Sequence, residues 1–278
     1  MSLILLTGST GFVGRQILRE LQNRGHQLRL VIRKDTELRI ANMDGVESIV
    51  YTHDLFLESR SWWATACDGV EILINCAWYV EPGCYLDSSK NLDCLVGTIA
   101  MAQGAVNAGV KRFIGLGTCF EYEMCNRPLS IHDPLKPLSL YAATKASVYM
   151  ILSQYFIKNG ISFAWCRLFY LFGEGEDPRR LFPYLHKQMS LGELALLTDG
   201  MQVRDFLNVV CASEQIVAVT FSDMVGAVNI CSGVPTTLRM FAENIADKYN
   251  ARSLLRFGSR QENLFDPPYV VGVKGSGS

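Results

Sequence analysis

The sequence predicts an α/β fold in which a doubly wound parallel sheet is followed by a smaller C-terminal unit. Over the first 167 residues, short apolar runs alternate with longer stretches of helical spacing, and a glycine-rich turn joins the first run to the first helix. Strands that alternate with helices form parallel sheets that are covered on both faces. After about residue 170, five prolines divide the chain into shorter elements, which is typical of a smaller unit added to such a sheet.

The predicted strands are short apolar runs, and the predicted helices carry apolar residues at helical spacing. The first helix shows this spacing over residues 13–21 and is expected to end at Gly25, because helix C-caps favour glycine. Two longer helices are expected over residues 92–108 and 140–158, with apolar stripes that pack on the core. The six predicted strands cover residues 3–6, 28–32, 48–51, 71–75, 113–116 and 162–166.

The composition is that of an ordinary globular protein, since 49% of the 278 residues are hydrophobic and 19% are charged. The 26 Lys and Arg residues nearly balance the 27 Asp and Glu residues, which leaves a net charge of −1 at pH 7. This balance excludes a polycationic nucleic-acid binder and gives no reason to expect binding to a membrane surface. The apolar run at residues 3–6 is too short for a signal peptide or a membrane span, so we expect a soluble cytoplasmic protein.

The cysteines and histidines do not form a metal-binding pattern. None of the nine cysteines is spaced as C-x-x-C, and the four histidines are far apart in the sequence. Free thiols, mostly buried, are therefore expected, and no metal site. The odd number of cysteines in a chain without an export signal indicates a reducing compartment.

Residues 3–15 combine a strand, a G-x-x-G-x-x-G turn and the start of a helix. Glycine allows the tight turn and the close approach of a diphosphate, while the helix N-terminus offers free N–H groups to the phosphates. Because the turn lies in the first strand–helix unit, it predicts a dinucleotide site. The expected cofactor contacts are Gly8, Thr10, Gly11, Phe12, Val13 and Gly14.

The end of the second predicted strand is expected to select the cofactor. An acidic residue there hydrogen-bonds the ribose of NAD, whereas a basic residue pairs with the 2′-phosphate of NADP. This chain has Arg33 at that position, followed by Lys34 and only then by Asp35. NADP(H) is therefore the preferred cofactor, with NAD(H) as the alternative and Arg15 as a second contact. The Asp54-Leu55 pair, after the third strand, is expected to contact the adenine edge.

Tyr141 and Lys145 are four residues apart, which places a phenol and an ammonium on one face of a predicted helix. Lys145 is expected to lower the pKa of Tyr141 by stabilising the phenolate, which would make the phenol a usable acid and base. The strand over residues 113–116 leads to Thr118, so a hydroxyl stands at the carboxyl edge of the sheet, where such sheets bind ligands. Thr118, Tyr141 and Lys145 are therefore the candidate catalytic residues.

These three motifs, in this order, resemble the extended short-chain dehydrogenase/reductases of the NAD-dependent epimerase/dehydratase family, and the resemblance extends from residue 1 to about residue 268. It implies a Rossmann domain over residues 1–168 and a nucleotide-sugar-binding cap over residues 169–272, with elements of the cap allowed to return to the sheet. It also implies that Thr118 holds the substrate oxygen, Tyr141 transfers the proton and Lys145 also binds the nicotinamide ribose. The Gly-Ser composition of residues 275–278 separately predicts a flexible tail over residues 273–278.

The resemblance implies further contacts. Asn75-Cys76-Ala77 resembles a family motif that passes close to the cofactor, and Arg204-Asp205-Phe206 resembles the cap motif whose arginine meets the diphosphate. Ala77 and Phe169 are accordingly expected at the cofactor. The substrate contacts expected besides the triad are Cys119, Phe120, Tyr170, Arg180, Arg204 and Arg256.

At several positions this chain has residues that differ from the family pattern, and these differences exclude some of the family's reactions. The 4,6-dehydratases have acidic residues one or two positions after the triad hydroxyl, and the 3,5-epimerase–reductases similar to fucose synthase have a cysteine two positions after it. Here these positions are Cys119 and Phe120, so dehydration is rejected and 3,5-epimerisation is not expected. Glu121 is expected to make a structural hydrogen bond. Cys94 and Tyr170 replace asparagines of many relatives, which argues against the sugar pocket of a UDP-galactose epimerase.

The leading hypothesis is the NADPH-dependent reduction of a 4-keto nucleotide-linked deoxy sugar, since the segment around Thr118 resembles the reductases that make CDP-paratose and CDP-abequose in bacterial deoxysugar and glycan biosynthesis. A nucleotide-sugar 4-epimerase that retains NAD and a non-catalytic dinucleotide sensor are the alternatives. The resemblance also implies a homodimer formed by the outer faces of the two long helices.

Overall fold

The computed structural model describes residues 2–34, 36–40, 42–261 and 267–275. Its strands are β1 (Leu3–Thr7), β2 (Gln27–Arg33), β3 (Val46–Thr52), β4 (Ile72–Asn75), β5 (Arg112–Thr118), β6 (Ser162–Leu168), β7 (Tyr170–Phe172), β8 (Ala195–Leu196), β9 (Val203–Asn208), β10 (Gly226–Ile230), β11 (Pro235–Thr237), β12 (Leu255–Arg256) and β13 (Tyr269–Val270). Its α-helices are α1 (Phe12–Asn23), α2 (Arg60–Ala66), α3 (Lys90–Ala108), α4 (Leu140–Asn159), α5 (Leu181–Leu191), α6 (Val209–Thr220) and α7 (Leu238–Asp247).

The central sheet has seven parallel strands in the order β3-β2-β1-β4-β5-β6-β10. The chain runs outward from β1 in one direction and then, from β4, in the other, so the order reverses between β1 and β4. Ligands of such sheets bind at this reversal, outside the carboxyl ends of the strands. The predicted doubly wound sheet is confirmed, and each of the six predicted strands lies within or overlaps one of β1 to β6.

Helices cover both faces of the sheet, which explains why its strands are continuously apolar. Ile4 and Leu6 of β1 face one way and pack with α1 and α6, whereas Leu5 faces the other way and packs with α2, α3 and α4. Leu152 and Phe156 of α4 are fully buried, as their predicted role in the core requires. Gly25, with φ +75°, follows the end of α1 by two residues and confirms the predicted helix stop.

The chain after residue 168 contributes to both parts of the molecule. Strand β10 adds an edge to the central sheet and α6 packs against α1. The second layer is a small sheet of β7, β9, β11 and β13, beside which α5 and α7 form an apolar cluster around Leu185 and Phe241. Val273, the first residue of the predicted flexible tail, donates its N–H to the Leu129 carbonyl at 2.8 Å. The flexible tail stays a prediction, and residues 276–278 lie outside the described residues.

Candidate active site

The glycine turn forms a cradle at the reversal of strand order. A Cβ on Gly14 would lie 2.1 Å from the Gly8 carbonyl oxygen, and one on Gly8, whose φ is +69°, would lie 2.8 Å from the Ala77 nitrogen. Only glycine fits these two positions without moving backbone. Gly11 caps α1, and no side chain of the described residues bonds to the first-turn N–H groups there. These residues therefore fit the diphosphate of a dinucleotide.

The end of β4 closes one side of this cradle. The Thr7 hydroxyl donates to the Asn75 side-chain oxygen at 2.7 Å, and the Ala77 N–H donates to the same oxygen at 3.2 Å. Both side chains are buried, so the bonds hold the chain after β4 against the turn after β1. Ala77 therefore lies beside the glycine turn, and its contact with the cofactor stays a prediction.

The residues predicted to contact the adenosine half lie at the same edge of the sheet. Arg33 is exposed at the end of β2, and the Asp54-Leu55 pair follows β3. One oxygen of the Asp54 carboxylate accepts the Phe56 N–H at 3.0 Å, which holds the side chain in a fixed turn. Their contacts to the cofactor stay predictions. Asp35 lies outside the described residues.

Helix α4 and strand β5 bring two of the catalytic candidates together. The Ser139 hydroxyl accepts the Ala142 N–H at 3.2 Å and so begins α4 directly before Tyr141. The side chains of Tyr141 and Thr118, the latter at the end of β5, are both buried and near each other. Burial raises the pKa of Tyr141, nearby Tyr85 and Glu121 add to this rise, and the neighbouring Thr118 hydroxyl opposes it.

Lys145 does not act on Tyr141 as predicted. Its ammonium donates to the Leu116 carbonyl oxygen at 2.6 Å and lies 3.9 Å from the centre of the Trp78 ring. Burial lowers the pKa of Lys145 to about 8. The predicted lowering of the Tyr141 pKa is therefore wrong in this structure, because burial of the phenol dominates and the ammonium is turned to other partners.

The residues after Thr118 carry no free acid or base. Cys119 is buried, which raises the pKa of its thiol to about 12, and Phe120 is apolar. The Glu121 carboxylate is fully buried and accepts the Thr118 N–H at 2.9 Å and the Arg167 Nε–H at 2.7 Å. The predicted structural role of Glu121 is confirmed: it fixes the backbone of the residue that carries the candidate catalytic hydroxyl.

A cavity of about 310 Å³ opens in the second layer beside these residues. Its charged lining consists of Glu176 and the arginines Arg179, Arg180 and Arg204. An aromatic wall completes it, with residues Tyr170, Phe172, Phe182, Phe206 and Phe241.

Aromatic contacts join this cavity to the catalytic candidates. The Tyr85 ring stands edge-on to the Tyr141 ring at 4.9 Å; burial raises the pKa of its phenol, and the nearby Arg180 guanidinium opposes this rise. On the other side, the Phe120 ring lies 6.0 Å from that of Tyr170. The catalytic candidates and the arginines are therefore parts of one continuous region.

The family of this protein follows from a comparison with known sequences. The sequence model of the NAD dependent epimerase/dehydratase family matches residues 4–229. The chain belongs to this family. Over 98% of its length it is 23% identical to a dTDP-6-deoxy-L-talose 4-dehydrogenase (NAD(+)) of Aggregatibacter actinomycetemcomitans, of which it covers 99%.

Solved structures share the fold of this epimerase/dehydratase family member. A UDP-N-acetylglucosamine 4-epimerase of Methanobrevibacter ruminantium superposes with a TM-score of 0.87 at 20% identity, over 98% of this chain and 89% of that one. A mutant dTDP-glucose 4,6-dehydratase of Streptomyces venezuelae, solved with NAD bound, superposes with a TM-score of 0.83 at 21% identity, over 98% and 88% of the two chains.

Of the remaining residues predicted to contact substrate or cofactor, some line the cavity and others lie outside its lining. Tyr170, Arg180 and Arg204 line the cavity, as expected of substrate contacts. Arg256 is outside the described lining, and its guanidinium donates to the Ser253 carbonyl at 2.6 Å. The Phe169 ring is buried in a small apolar cluster with Cys119, Leu129, Cys231 and Val270. Substrate binding by Arg256 and cofactor binding by Phe169 stay predictions.

Two residues that build the site were not predicted from the sequence. Asn91 is fully buried, and its amide donates to the Tyr85 carbonyl at 2.6 Å while its oxygen accepts the Trp78 indole N–H at 2.8 Å. It therefore holds the loop that places Tyr85 on Tyr141 and Trp78 on Lys145. A signal was present, because Asn91 precedes Cys94, the position where relatives have asparagine, by one helical turn. The other missed residue is Glu176.

The described residues contain no cluster of three or more potential metal ligands among His, Cys, Asp and Glu. All nine cysteines lie in the described part of the chain, and all are free thiols. No helix of the described ranges is both long and apolar enough to cross a bilayer.

Proposed function

We propose that this protein is an NADPH-dependent reductase that converts the 4-keto group of a nucleotide-linked deoxy sugar to an alcohol, in bacterial deoxysugar and glycan biosynthesis. The observation that carries the proposal is the buried, neighbouring pair of Thr118 and Tyr141 at the carboxyl edge of the sheet, beside an arginine-lined cavity. A bound nicotinamide cofactor would supply the hydride.

The protonation of Tyr141 supports reduction as the reaction. Because burial raises the pKa of Tyr141, the phenol keeps its proton at neutral pH and can donate it. A ketone that accepts a hydride becomes an alkoxide, which needs a proton and hydrogen-bond donors at its oxygen. Tyr141 would donate the proton, and the Thr118 hydroxyl would hold the oxygen. The Lys145 ammonium would add positive charge and hold the nicotinamide ribose.

The surroundings of Thr118 support a reaction without a carbon-acid step. Elimination of water, and epimerisation next to a ketone, both require a base that removes a proton from carbon. The Cys119 thiol stays protonated at neutral pH, Phe120 has no ionisable group, and the Glu121 carboxylate is paired with Arg167. Hydride and proton transfer to a single carbonyl is the chemistry that these residues support.

The cavity supports a nucleotide sugar as the substrate. Arg180 and Arg204 would bind the diphosphate, since guanidinium groups pair with phosphate oxygens in two-point contacts. The Asp205 carboxylate, fully buried, accepts the N–H groups of Ser232 and Gly233 at 2.7 and 2.8 Å and so fixes the strand that carries Arg204. The 4-dehydrogenase relative, which is named for a dTDP-linked deoxy sugar, supports the same substrate class.

A turnover assay with 4-keto-6-deoxy sugars linked to CDP, dTDP, GDP or UDP tests the proposal. We expect NADPH to be consumed with at least one of them, and the product to carry a hydroxyl at C4. A protein that purifies with bound NAD and interconverts 4-hydroxy sugars without added cofactor would be a 4-epimerase instead. Binding of a dinucleotide without turnover of any of these sugars would identify the sensor.

Arg33 is expected to select the cofactor. Replacing it by aspartate should raise the KM for NADPH about tenfold or more and lower that for NADH, because the charge opposite the 2′-phosphate is reversed. Steady-state kinetics with both cofactors measures this shift. The matched control is Arg24→Ser, which removes an exposed arginine at the C-terminal end of α1, the end away from the glycine turn. This variant should leave both KM values unchanged. Equal KM values for NADPH in Arg33→Asp and the wild type would contradict the cofactor assignment.

We also propose a homodimer built on α3 and α4. Their outer faces expose Val96 by 65%, Met150 by 53% and Ile157 by 75%, although the opposite faces are buried in the core. Light scattering should give twice the mass of one chain, and Val96→Glu with Met150→Glu should yield monomers because charges are poorly tolerated in interface cores. Val234→Glu, at an exposed valine of the second layer, should stay dimeric. A monomeric wild type would contradict the proposal.

A further inference from the structure

Glu176 places an unsatisfied carboxyl group in the cavity. Its side chain is 7% exposed, and the nearest charged group is the Arg180 guanidinium, 3.6 Å from Oε1. Its Oε2 atom has no hydrogen-bond partner among the described residues. A buried carboxyl oxygen without a partner destabilises a folded protein, and such exceptions require an explanation.

The segment that carries Glu176 is held at several points. The Glu174 carboxylate pairs with Arg19 of α1 at 3.1 Å, and Gly175 lies against the Arg15 guanidinium. The Glu176 N–H donates to the Gly173 carbonyl at 3.2 Å. These contacts fix the backbone that carries the carboxyl group, and no described residue hydrogen-bonds to its Oε2 atom.

The chemistry of the cavity decides what Glu176 can bind. The arginines are suited to phosphate, whereas a carboxylate repels phosphate and pairs with hydrogen-bond donors. In a nucleotide sugar, the donors that flank the diphosphate are the hydroxyls of the ribose on one side and of the hexose on the other. Burial raises the pKa of Glu176 to about 7, although Arg180 and the backbone of Gly173 oppose this rise.

We infer that Glu176 is a specificity-determining residue whose free oxygen accepts a hydrogen bond from a substrate hydroxyl next to the diphosphate. The inference rests on the proposed function, since it takes a nucleotide sugar as the ligand. This hydrogen bond would make the cavity selective among diphosphates, because a ligand without that hydroxyl leaves the Glu176 carboxyl unpaired.

Calorimetric titration of Glu176→Leu and Glu176→Gln tests the inference. The probes are CDP, GDP and UDP, their 2′-deoxy forms and their glucose conjugates, each with NADP⁺ present. We expect Glu176→Leu to bind the preferred ligand about tenfold more weakly than the wild type, and Glu176→Gln, which keeps one acceptor oxygen, to lie between them. Glu193→Leu removes an exposed carboxylate just beyond the C-terminal end of α5 and should bind as the wild type does.

The probes identify the hydroxyl. If it belongs to the ribose, the wild type binds the 2′-deoxy form more weakly and Glu176→Leu does not distinguish the two forms. If it belongs to the hexose, Glu176→Leu loses affinity for the glucose conjugate and retains it for the free diphosphate. Either pattern supports the inference.

Thermal unfolding shows whether Glu176 binds the ligand or only stabilises the fold. We expect Glu176→Leu to melt at the wild-type temperature or above it, because an apolar group replaces an unsatisfied carboxyl. A lower melting temperature with unchanged affinity would overturn the inference. Wild-type affinity of Glu176→Leu for every probe would also overturn it and leave the proposed function intact. If the wild type binds none of the probes, nor dTDP and dTDP-glucose under the same conditions, the proposed function fails together with the inference.

Discussion

Replacing Tyr141 by phenylalanine is expected to reduce turnover by about 10²–10⁴-fold, the range that loss of a positioned acid produces. The substitution removes the only atom that would deliver the proton and keeps the ring that packs against Tyr85 at 4.9 Å. We therefore expect the affinity for NADPH and the melting temperature to stay close to wild-type values. Steady-state kinetics, fluorescence titration with NADPH and thermal unfolding measure the three quantities.

Tyr149→Phe is the matched control for this experiment. Tyr149 lies two turns further along α4, and its ring packs with Phe163 and Trp165, away from Thr118. The same loss of a phenol hydroxyl there should leave turnover unchanged. If Tyr141→Phe keeps more than about one tenth of the wild-type turnover, another group delivers the proton and the assignment of Tyr141 fails.

Replacing Arg167 by methionine is expected to lower the free energy of unfolding by about 3–5 kcal/mol, the usual result of breaking a buried ion pair from one side. Arg167 and Glu121 are 2.7 Å apart with side chains 1% and 0% exposed, so the variant leaves a carboxylate buried without its counter-charge. Turnover should also fall, because Glu121 holds the Thr118 N–H at 2.9 Å. Urea unfolding and steady-state kinetics measure the two effects.

A double variant measures how much of the stability lost in Arg167→Met comes from the unpaired charge of Glu121, and how much comes from the missing contacts of Arg167. Arg167→Met combined with Glu121→Gln should recover part of the lost stability, since a neutral amide needs no counter-charge and its oxygen can still accept the Thr118 N–H. Lys136→Met breaks the exposed pair with Glu123, 2.8 Å apart, and should cost less than about 1 kcal/mol. Unfolding of Arg167→Met at the wild-type urea concentration would contradict the role given to the pair.

Much of the fold could be predicted because local patterns report it directly. The apolar runs, the glycine turn and the stop at Gly25 each need only neighbouring residues to be recognised. The position of β10 could not be predicted in this way. It joins the central sheet beside β6 although some sixty residues separate the two strands, and that pairing depends on contacts that α6 makes with α1.

The candidate site was predictable where residue type alone limits the chemistry. The triad candidates and the glycine cradle fall in this class, since a phenol, a hydroxyl and a turn without side chains each have few uses at the edge of a parallel sheet. The predicted effect of Lys145 on Tyr141 was wrong, because spacing along a helix does not report how deeply a phenol is buried or which carbonyl an ammonium meets. Asn91 was missed for the same reason.

The amino-acid pattern was sufficient to predict the strands and helices of the first 168 residues, the glycine turn, the catalytic candidates and the resemblance to the family. The environment of Tyr141, the partners of Lys145 and the unpaired oxygen of Glu176 became known only from the folded chain. The reason is physical: pattern and residue type are properties of neighbours in the chain, whereas desolvation and hydrogen bonding depend on what distant segments place around a group.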